Sequence, residues 1–266
     1  MTAPVPYTED LALALRLADA ADTVTRPRFR AADLRVERKP DRTPVTDADV
    51  ACEDAIRSVL ATERPADAVL GEERGGPTGR AGRAWVLDPI DGTKNFSRGV
   101  GVWATLIALV VDGRPVVGAV TAPALGRRWW AAQGAGAWTS DAVRGLDRAP
   151  IAVSGVADLA DAYVSTTDLG TWRDEGTREQ WLALVDAAWE NRAFGDFHQH
   201  CLVAEGLLDA AVDPVASAWD LAALHVLVTE AGGRFTDLTG DSRYDTGSGI
   251  SSNGLIHDAA LAHLRR

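Results

Sequence analysis

Two aspartates, Asp88 and Asp91, stand directly after the apolar segment 85–87 and are the residues of this sequence best placed to do chemistry. Trp, Val and Leu in that segment are typical of a buried strand. Pro89 keeps Asp88 extended and interrupts hydrogen bonding to a neighbouring strand, so we predict that both carboxylates emerge at the strand's end. Carboxylate oxygens suit Mg²⁺, which proteins usually hold through a few carboxylates together with phosphate oxygens of a substrate.

The next two residues, Gly92 and Thr93, can bind phosphate through their backbone N–H groups. If a helix begins near Lys94, these groups point outward at its N-terminus, where anions are favoured, and Gly92 permits close approach. The alternative is an ordinary solvated turn, because Asp-Gly pairs are common in turns. An ordinary turn does not require two aspartates directly after an apolar strand, so we favour a metal and phosphate site.

The sequence of residues 88–96, Asp-Pro-Ile-Asp-Gly-Thr-Lys-Asn-Phe, resembles the signature of the inositol monophosphatase family. A second stretch, Trp-Asp-Leu-Ala-Ala at 219–223 followed by Glu-Ala-Gly-Gly at 230–233, resembles the second signature of that family. The resemblance covers nearly the whole chain. It implies a magnesium-dependent phosphatase with a layered αβαβα fold of the α/β class, usually assembled as a homodimer.

The resemblance also implies which residues hold the metal. The side chains of Glu72, Asp88, Asp91 and Asp220, with the backbone carbonyl of Ile90, would bind two or three Mg²⁺ ions. In such a site the metal lowers the pKa of the attacking water and neutralises the phosphate, which is attacked in line. No covalent phosphoenzyme is expected.

Three catalytic residues follow from the same resemblance: Asp49, Glu72 and Thr93, with Thr93 and Asp49 positioning the attacking water. Asp49 also stands three residues after Thr46, which is the spacing of a helix capping box. Asp49 can therefore secure the start of a helix, and the two roles are compatible. Lys39 matches a family lysine near the metal site.

Substrate-binding residues are predicted to be Gly92, Thr93, Asp196 and Asp213. Inositol phosphatases usually have a small hydroxyl or apolar residue at the position of Asp196, and a carboxylate there favours a cationic alcohol. The segments 127–132 and 201–206 are also similar to the bacterial histidinol-phosphate phosphatase branch of the family. Its substrate carries an ammonium and an imidazole group.

Several alternatives remain open from the sequence. Asp196 can be a helix N-cap, and the substrate can be inositol 1-phosphate or another sugar or nucleotide monophosphate. A non-catalytic regulatory protein is an alternative to an enzyme, but it would not need this full set of carboxylates.

A haloacid dehalogenase nucleophile needs one residue between its aspartates, whereas two separate Asp88 from Asp91. His198 and His200 would share a face on a strand but point about 200° apart on a helix, which disfavours a shared metal.

Composition narrows the partners and the location. The net charge of −11 disfavours nucleic acid and anionic membranes as partners, and an anionic substrate would need metal to offset the repulsion. The family resemblance implies that this substrate is a small phosphate monoester. Cys52 and Cys201 lie far apart, without metal-ligand spacing, and fit a reducing cytoplasm. The longest apolar run, 102–111, is too short to span a bilayer, and we identify no signal peptide.

The elements that must position these residues can be outlined from sequence periodicity. Thr8 is predicted to cap a first helix that ends near Pro27, and a second helix follows Asp49. Strands at 105–111, 115–122 and 127–132 are predicted to form an antiparallel meander. Trp103, Trp129 and Trp130 are predicted to serve packing, with a ligand pocket as the alternative role.

A polar loop at 141–150 is the predicted boundary between an N-terminal α+β metal-binding part, 1–145, and a C-terminal α/β part, 146–266, that completes the site. Strands and helices alternate beyond the boundary, as expected of an α/β architecture. A final helix is predicted at 257–264.

Overall fold

Helices and sheets alternate in five layers in a computed structural model, which describes residues 6–40 and 43–265. The elements in chain order are α1 (Thr8–Arg28), β1 (Val36–Arg38), β2 (Pro44–Thr46), α2 (Asp47–Glu63), β3 (Ala68–Gly71), β4 (Arg83–Asp91), α3 (Thr93–Arg98), β5 (Ala104–Val111), β6 (Arg114–Ala122), β7 (Arg127–Ala132), β8 (Ala137–Asp141), β9 (Leu146–Ile151), a 3₁₀ turn (Leu159–Asp161), β10 (Tyr163–Thr166), α4 (Leu169–Asp174), α5 (Arg178–Ala187), β11 (Glu190–Arg192), α6 (Asp196–Ala204), β12 (Ala210–Asp213), α7 (Ala218–Glu230), β13 (Arg234–Thr236), β14 (Gly249–Ser252) and α8 (His257–Leu264).

The first two layers are the helices α1 and α2 and a seven-stranded sheet of order β3-β4-β5-β6-β7-β8-β9. Only β3 and β4 run parallel among these neighbours. Leu17 and Ile56 of the helices are fully buried against Trp85 and Leu109 of the sheet. Alternate residues of the same strands face the opposite side, so both faces of the sheet are covered.

The middle layer consists of α6 and α7, which lie between the seven-stranded sheet and a five-stranded sheet of order β11-β10-β12-β14-β13. Phe197 and Leu224 of these helices share one core with Trp129 of the first sheet and Phe235 of the second. A helix that is apolar on opposite sides suits such a central position. The N-termini of both helices thereby reach the carboxyl end of β4.

The outer layer covers the second sheet with α4, α5 and α8. Trp181 and Leu261 pack with Val164 and Val212 of β10 and β12. The order of layers is therefore αβαβα, and the predicted fold class is confirmed. The antiparallel meander β5–β7 and the final helix are also confirmed.

Two predictions of local structure were wrong. Thr8 is the first residue of α1, while the cap position is held by Tyr7 in the left-handed conformation, with no side-chain cap hydrogen bond. The stretch 141–150, predicted to be a loop, contains most of β9, which pairs with β8 at the edge of the sheet. An edge strand can carry exposed polar residues and Pro150, which hide its strand pattern in the sequence.

The division of the chain near residue 145 stays a prediction. The seven-stranded sheet continues to Ile151, and the second sheet begins at Tyr163. In the part of the chain that the structure describes, no helix is both long enough and apolar enough to cross a membrane.

Candidate active site

A bulge in β4 brings Asp88 and Asp91 to the same side of the sheet. Asp88 is opposite Leu106 and Asp91 is opposite Ala104, so β4 has one more residue than β5 over this interval. Residues three apart in a regular strand point to opposite faces, and the extra residue of a bulge reverses that alternation. The strand continues past Pro89 to Asp91, so both carboxylates lie at its end, as predicted. Both carboxylates face the helices of the middle layer.

A third carboxylate, Asp220, comes from the N-terminus of α7. Ser217 caps this helix, and its backbone N–H donates to Asp220 Oδ2 at 2.7 Å, so a capping box fixes the aspartate. One carboxylate oxygen from each of Asp88, Asp91 and Asp220 lies within 4.8 Å of the others. The structure thus brings together three of the four predicted carboxylate ligands.

The three carboxylates of Asp88, Asp91 and Asp220, here called the carboxylate trio, would repel one another if all were charged with no cation between them. Burial, together with neighbouring carboxylates, raises the pKa of Asp88 and of Asp91 well above its usual range. Asp88 Oδ1 is buried without a hydrogen-bond partner among the described residues. A divalent cation would satisfy this oxygen and offset the repulsion, and an all-oxygen donor set suits Mg²⁺. The residues present therefore fit a magnesium site.

The substitution Asp220→Asn provides a test of these electrostatics in metal-free protein. Burial, opposed by the hydrogen bond from Ser217, raises the pKa of Asp220 from 3.8 to about 7. Between the ordinary pKa and the raised one, Asp220 is ionised in the unfolded state but still protonated in the folded state. The free energy of unfolding therefore falls as pH rises through this range. We expect wild type to lose free energy of unfolding relative to Asp220→Asn between about pH 4 and pH 7, as measured by urea denaturation in EDTA. A constant difference across this range would contradict the result.

Glu72, the fourth predicted carboxylate, lines the same cavity but lies outside the trio. Lys39 Nζ donates to Glu72 Oε1 at 2.6 Å and to Glu73 Oε1 at 2.7 Å. Although burial lowers the pKa of Lys39, these two hydrogen bonds outweigh it and the pKa is raised. Lys39 therefore stays protonated and holds Glu72 beside the cavity.

Asp49 makes contacts that fit both of its predicted roles, in the capping box of α2 and beside Thr93. Its Oδ2 accepts a hydrogen bond from Thr46 N at 2.8 Å, which belongs to the predicted capping box of α2, and another from Thr46 Oγ1 at 2.5 Å. Its Oδ1 faces Thr93, whose Oγ1 lies 3.2 Å away and also donates to Ile90 O at 2.9 Å. Burial raises the pKa of Asp49 to about 6. Ile90 O, the backbone oxygen predicted as a metal ligand, is therefore in contact with Thr93, and Thr93 is in contact with Asp49.

Gly92 precedes α3 in the left-handed conformation, with φ of 83°. A Cβ at this position would lie 3.0 Å from Val102 O and 3.4 Å from Asp196 Oδ2. The glycine is therefore required by its backbone angle and by lack of space. The first N–H groups of any helix lack partners within that helix, so this turn can present donors to the cavity.

Two adjoining cavities form the site. A cavity of about 400 Å³ surrounds the carboxylate trio, and a cavity of about 160 Å³ lies beside it. The two share the lining residues Asp91, Lys94, Asp196 and Asp220. The smaller cavity is otherwise bordered by hydroxyl, carboxylate and apolar groups, among them Thr167, Asp168, Thr171, Asp213 and Pro214.

Asp196 is not the helix cap that the sequence allowed. Gly195 occupies the N-cap position of α6, and no side chain caps the helix. Asp196 is the first helical residue and has φ of 47°, an uncommon conformation for a residue other than glycine. Its Oδ2 lies 3.4 Å from Asn95 Nδ2, at the junction of the two cavities. Burial and the charge of Asp213 raise the pKa of Asp196 to about 6.

Asp213 is held rigidly at the far side of the smaller cavity. Its Oδ1 accepts from Thr167 Oγ1 at 2.6 Å and from Gln199 Nε2 at 2.9 Å, and its Oδ2 lies 2.8 Å from His200 Nε2. The other ring nitrogen of His200 lies 2.7 Å from Ser251 Oγ. Sequence reasoning missed these partners, because spacing along the chain does not reveal which side chains surround Asp213.

His198 and His200 point to different surroundings on α6, as predicted. The ring of His198 packs near Trp129 and Phe197, away from the partners of His200. Trp103, Trp129 and Trp130 are buried, which confirms their predicted packing role.

Comparison with known proteins places this site in context. The profile of the inositol monophosphatase family matches residues 7–266. The histidinol-phosphatase of Mycobacterium tuberculosis is 55% identical over 96% of this chain and 98% of its own length. The histidinol-phosphatase of Streptomyces coelicolor is 49% identical over 98% of both chains.

Solved structures share the architecture. An inositol monophosphatase from Zymomonas mobilis superposes with a TM-score of 0.83, at 34% sequence identity, over 98% of this chain and 99% of that chain. The structure of IMPase TM1415 from Thermotoga maritima gives a TM-score of 0.84 at 28% identity, over 97% of both chains.

Proposed function

This chain belongs to the inositol monophosphatase family, and from this we propose that it hydrolyses L-histidinol phosphate to L-histidinol and phosphate with Mg²⁺. The observation that carries the substrate assignment is the small cavity beside the carboxylate trio, which is bordered by Asp196 and Asp213. Inositol carries no positive charge, whereas histidinol carries an ammonium group that two carboxylates can bind.

Two or three Mg²⁺ ions are proposed to bind the side chains of Glu72, Asp88, Asp91 and Asp220 and the carbonyl of Ile90. When bound, Mg²⁺ supplies Lewis-acid polarisation and neutralises negative charge on the phosphoryl oxygens. The protein's own contribution is to hold these oxygens through the β4 bulge and the α7 capping box. Gly92 and Thr93 offer backbone N–H groups to the phosphate, and Lys94 at the junction adds a positive charge.

Thr93 and Asp49 are proposed to orient the attacking water. The Thr93 hydroxyl lies between Asp49 Oδ1 and Ile90 O, so its proton is directed towards these acceptors and its lone pair remains available to a water proton. As the water attacks phosphorus, its proton moves to Thr93 Oγ1 while the hydroxyl proton moves towards Asp49. The bond from phosphorus to the alcohol oxygen breaks, and the leaving alkoxide departs towards the smaller cavity and takes a proton from solvent water.

The substitution Thr93→Val tests this arrangement, because valine keeps the shape but removes the hydroxyl. We expect kcat to fall about 10²- to 10⁴-fold, the range of positioned proton transfer. Thr93→Ser, which keeps the hydroxyl, is the matched control and should stay within about tenfold of wild type. Steady-state phosphate release measures both variants. A Thr93→Val enzyme within threefold of wild type would exclude Thr93 from proton transfer.

Complementation tests the biological reaction. A bacterial strain that lacks histidinol-phosphate phosphatase should grow without added histidine when it expresses this chain. The same strain expressing Asp91→Asn at an equal level should not grow. Failure of the wild-type chain to restore growth, despite verified expression of folded protein, would contradict the substrate assignment and favour inositol 1-phosphate or another monoester.

We also propose that the enzyme is a cytoplasmic homodimer. Both cysteines are free and buried, which suits a reducing compartment.

On the edge strand β11 and its flanks, Trp189 and Phe194 are 69% and 38% exposed, and each ring lies 6.1 Å from that of Tyr163. Exposed aromatic patches mark protein contacts. Light scattering should give twice the chain mass of 28.2 kDa, and a monomer at micromolar concentration would refute the dimer.

A further inference from the structure

The carboxylate of Glu53, on α2, lies beneath the turn that carries Glu72. It is fully buried, and its oxygens accept hydrogen bonds from the backbone of that turn. Oε2 accepts from Glu73 N at 2.7 Å, and Oε1 accepts from Arg74 N at 3.2 Å. Glu53 thus binds the two N–H groups that directly follow Glu72.

Arg57, one helical turn later, completes this support. Its Nε donates to Glu53 Oε1 at 2.7 Å, and its Nη2 donates to Gly75 O at 2.5 Å. The turn itself is closed by a hydrogen bond from Gly71 N to Gly75 O at 3.1 Å. The Glu53–Arg57 pair therefore contacts both the middle and the end of the turn.

The shape of the chain at Gly71 is matched to this carboxylate. A Cβ on Gly71 would lie 2.1 Å from Glu53 Oε1 and 2.3 Å from Glu53 Cδ. The φ of Gly71 is not positive, so its backbone angle does not require glycine. Glycine is required here because a side chain would not fit. The glycine before Glu72 allows the buried carboxylate to reach the backbone N–H groups beyond it.

We propose that Glu53 is a positioning residue for the metal site, which sets where Glu72 stands and thereby the affinity for Mg²⁺. The proposal rests on the proposed function, because it takes Glu72 as a magnesium ligand. A buried charge is costly unless it is paired and hydrogen-bonded, and apolar residues of similar volume often stabilise a fold as well or better. Groups that orient metal ligands from behind typically change metal affinity 10- to 100-fold when they are replaced.

The substitution Glu53→Gln tests this role. Glutamine keeps the size but replaces one acceptor oxygen by an NH₂ group, which faces the donors of the turn or of Arg57. We expect the dissociation constant for Mg²⁺, measured by calorimetry on metal-free protein, to rise about 10-fold, with kcat at saturating Mg²⁺ within about threefold. Arg57→Gln, which changes a partly exposed side chain, should raise the same constant by a smaller factor and serves if Glu53→Gln does not fold.

Asp54→Asn is the matched control. It removes a charge from the neighbouring residue of α2, whose exposed carboxylate binds only the side chain of Arg74 in this turn. Its Mg²⁺ affinity should equal that of wild type. Unchanged affinity in Glu53→Gln, or a loss of kcat at saturating Mg²⁺ as large as the loss of affinity, would overturn the positioning role. Absence of magnesium-dependent phosphatase activity in wild type would instead overturn the proposed function.

Discussion

Asp91→Asn is expected to lower magnesium-dependent phosphate release by at least about 10³-fold, because a metal that stabilises several kcal/mol of transition-state charge loses a ligand. Asparagine has nearly the same shape, and its carbonyl can still accept the hydrogen bond that Phe197 N donates to Asp91 Oδ2 at 2.6 Å. The loss should therefore come from the site and not from the fold.

Thermal unfolding separates these two causes. In EDTA, Asp91→Asn should be at least as stable as wild type, because it removes a buried charge beside Asp88 and Asp220. Addition of Mg²⁺ should raise the Tm of wild type by mass action and leave that of the variant nearly unchanged. A variant that is unstable in EDTA, or that gains as much from Mg²⁺ as wild type, would remove Asp91 from the metal site.

Asp196→Asn should lower kcat/KM for L-histidinol phosphate about 100-fold, since a hydrogen bond to a charged group contributes about 1.5–3 kcal/mol. The same variant should stay within about threefold of wild type on glycerol 2-phosphate, whose alcohol is uncharged. The physical reason is that the carboxylate lies at the junction of the two cavities, where the proposed function assigns it to the ammonium group of the substrate.

Asp168→Asn provides the comparison within the same cavity. Its two oxygens already accept hydrogen bonds from Thr171 N at 2.8 Å and Thr171 Oγ1 at 3.0 Å, which cap α4. We expect a smaller loss with this variant, because that carboxylate is committed to the helix. Equal losses on both substrates in Asp196→Asn would show that Asp196 serves the reaction in general and not the recognition of a cation.

The local part of the site was predictable because its residues are close in sequence. Asp88, Asp91 and Thr93 lie within six positions, and strand and turn preferences alone placed the carboxylates together. The bulge was not predicted, since Pro89 signals only an interruption and not the extra residue that restores the shared face. The family resemblance predicted that Asp220 joins Asp88 and Asp91, and the structure places its carboxylate beside theirs.

Long-range partners could not be read from the sequence. Glu53 contacts a turn about twenty residues away, and Asp213 is fixed by three side chains, those of Thr167, Gln199 and His200. The strand β14 also escaped prediction, because its sequence Gly-Ile-Ser-Ser has weak strand preference. Ser251 and Ser252 are nevertheless fully buried there, where they contact His200 and His257. Tertiary contacts, rather than local preference, determine that strand.

The most direct test of the central claim is phosphate release by wild type from L-histidinol phosphate, inositol 1-phosphate, fructose 1,6-bisphosphate and 3′-phosphoadenosine 5′-phosphate, each in Mg²⁺ and in EDTA. We expect the highest kcat/KM for L-histidinol phosphate, by at least about tenfold, and no activity in EDTA. Preference for another monoester would leave the metal site in place but contradict the cationic pocket. Activity that persists in EDTA would contradict the metal-dependent mechanism itself.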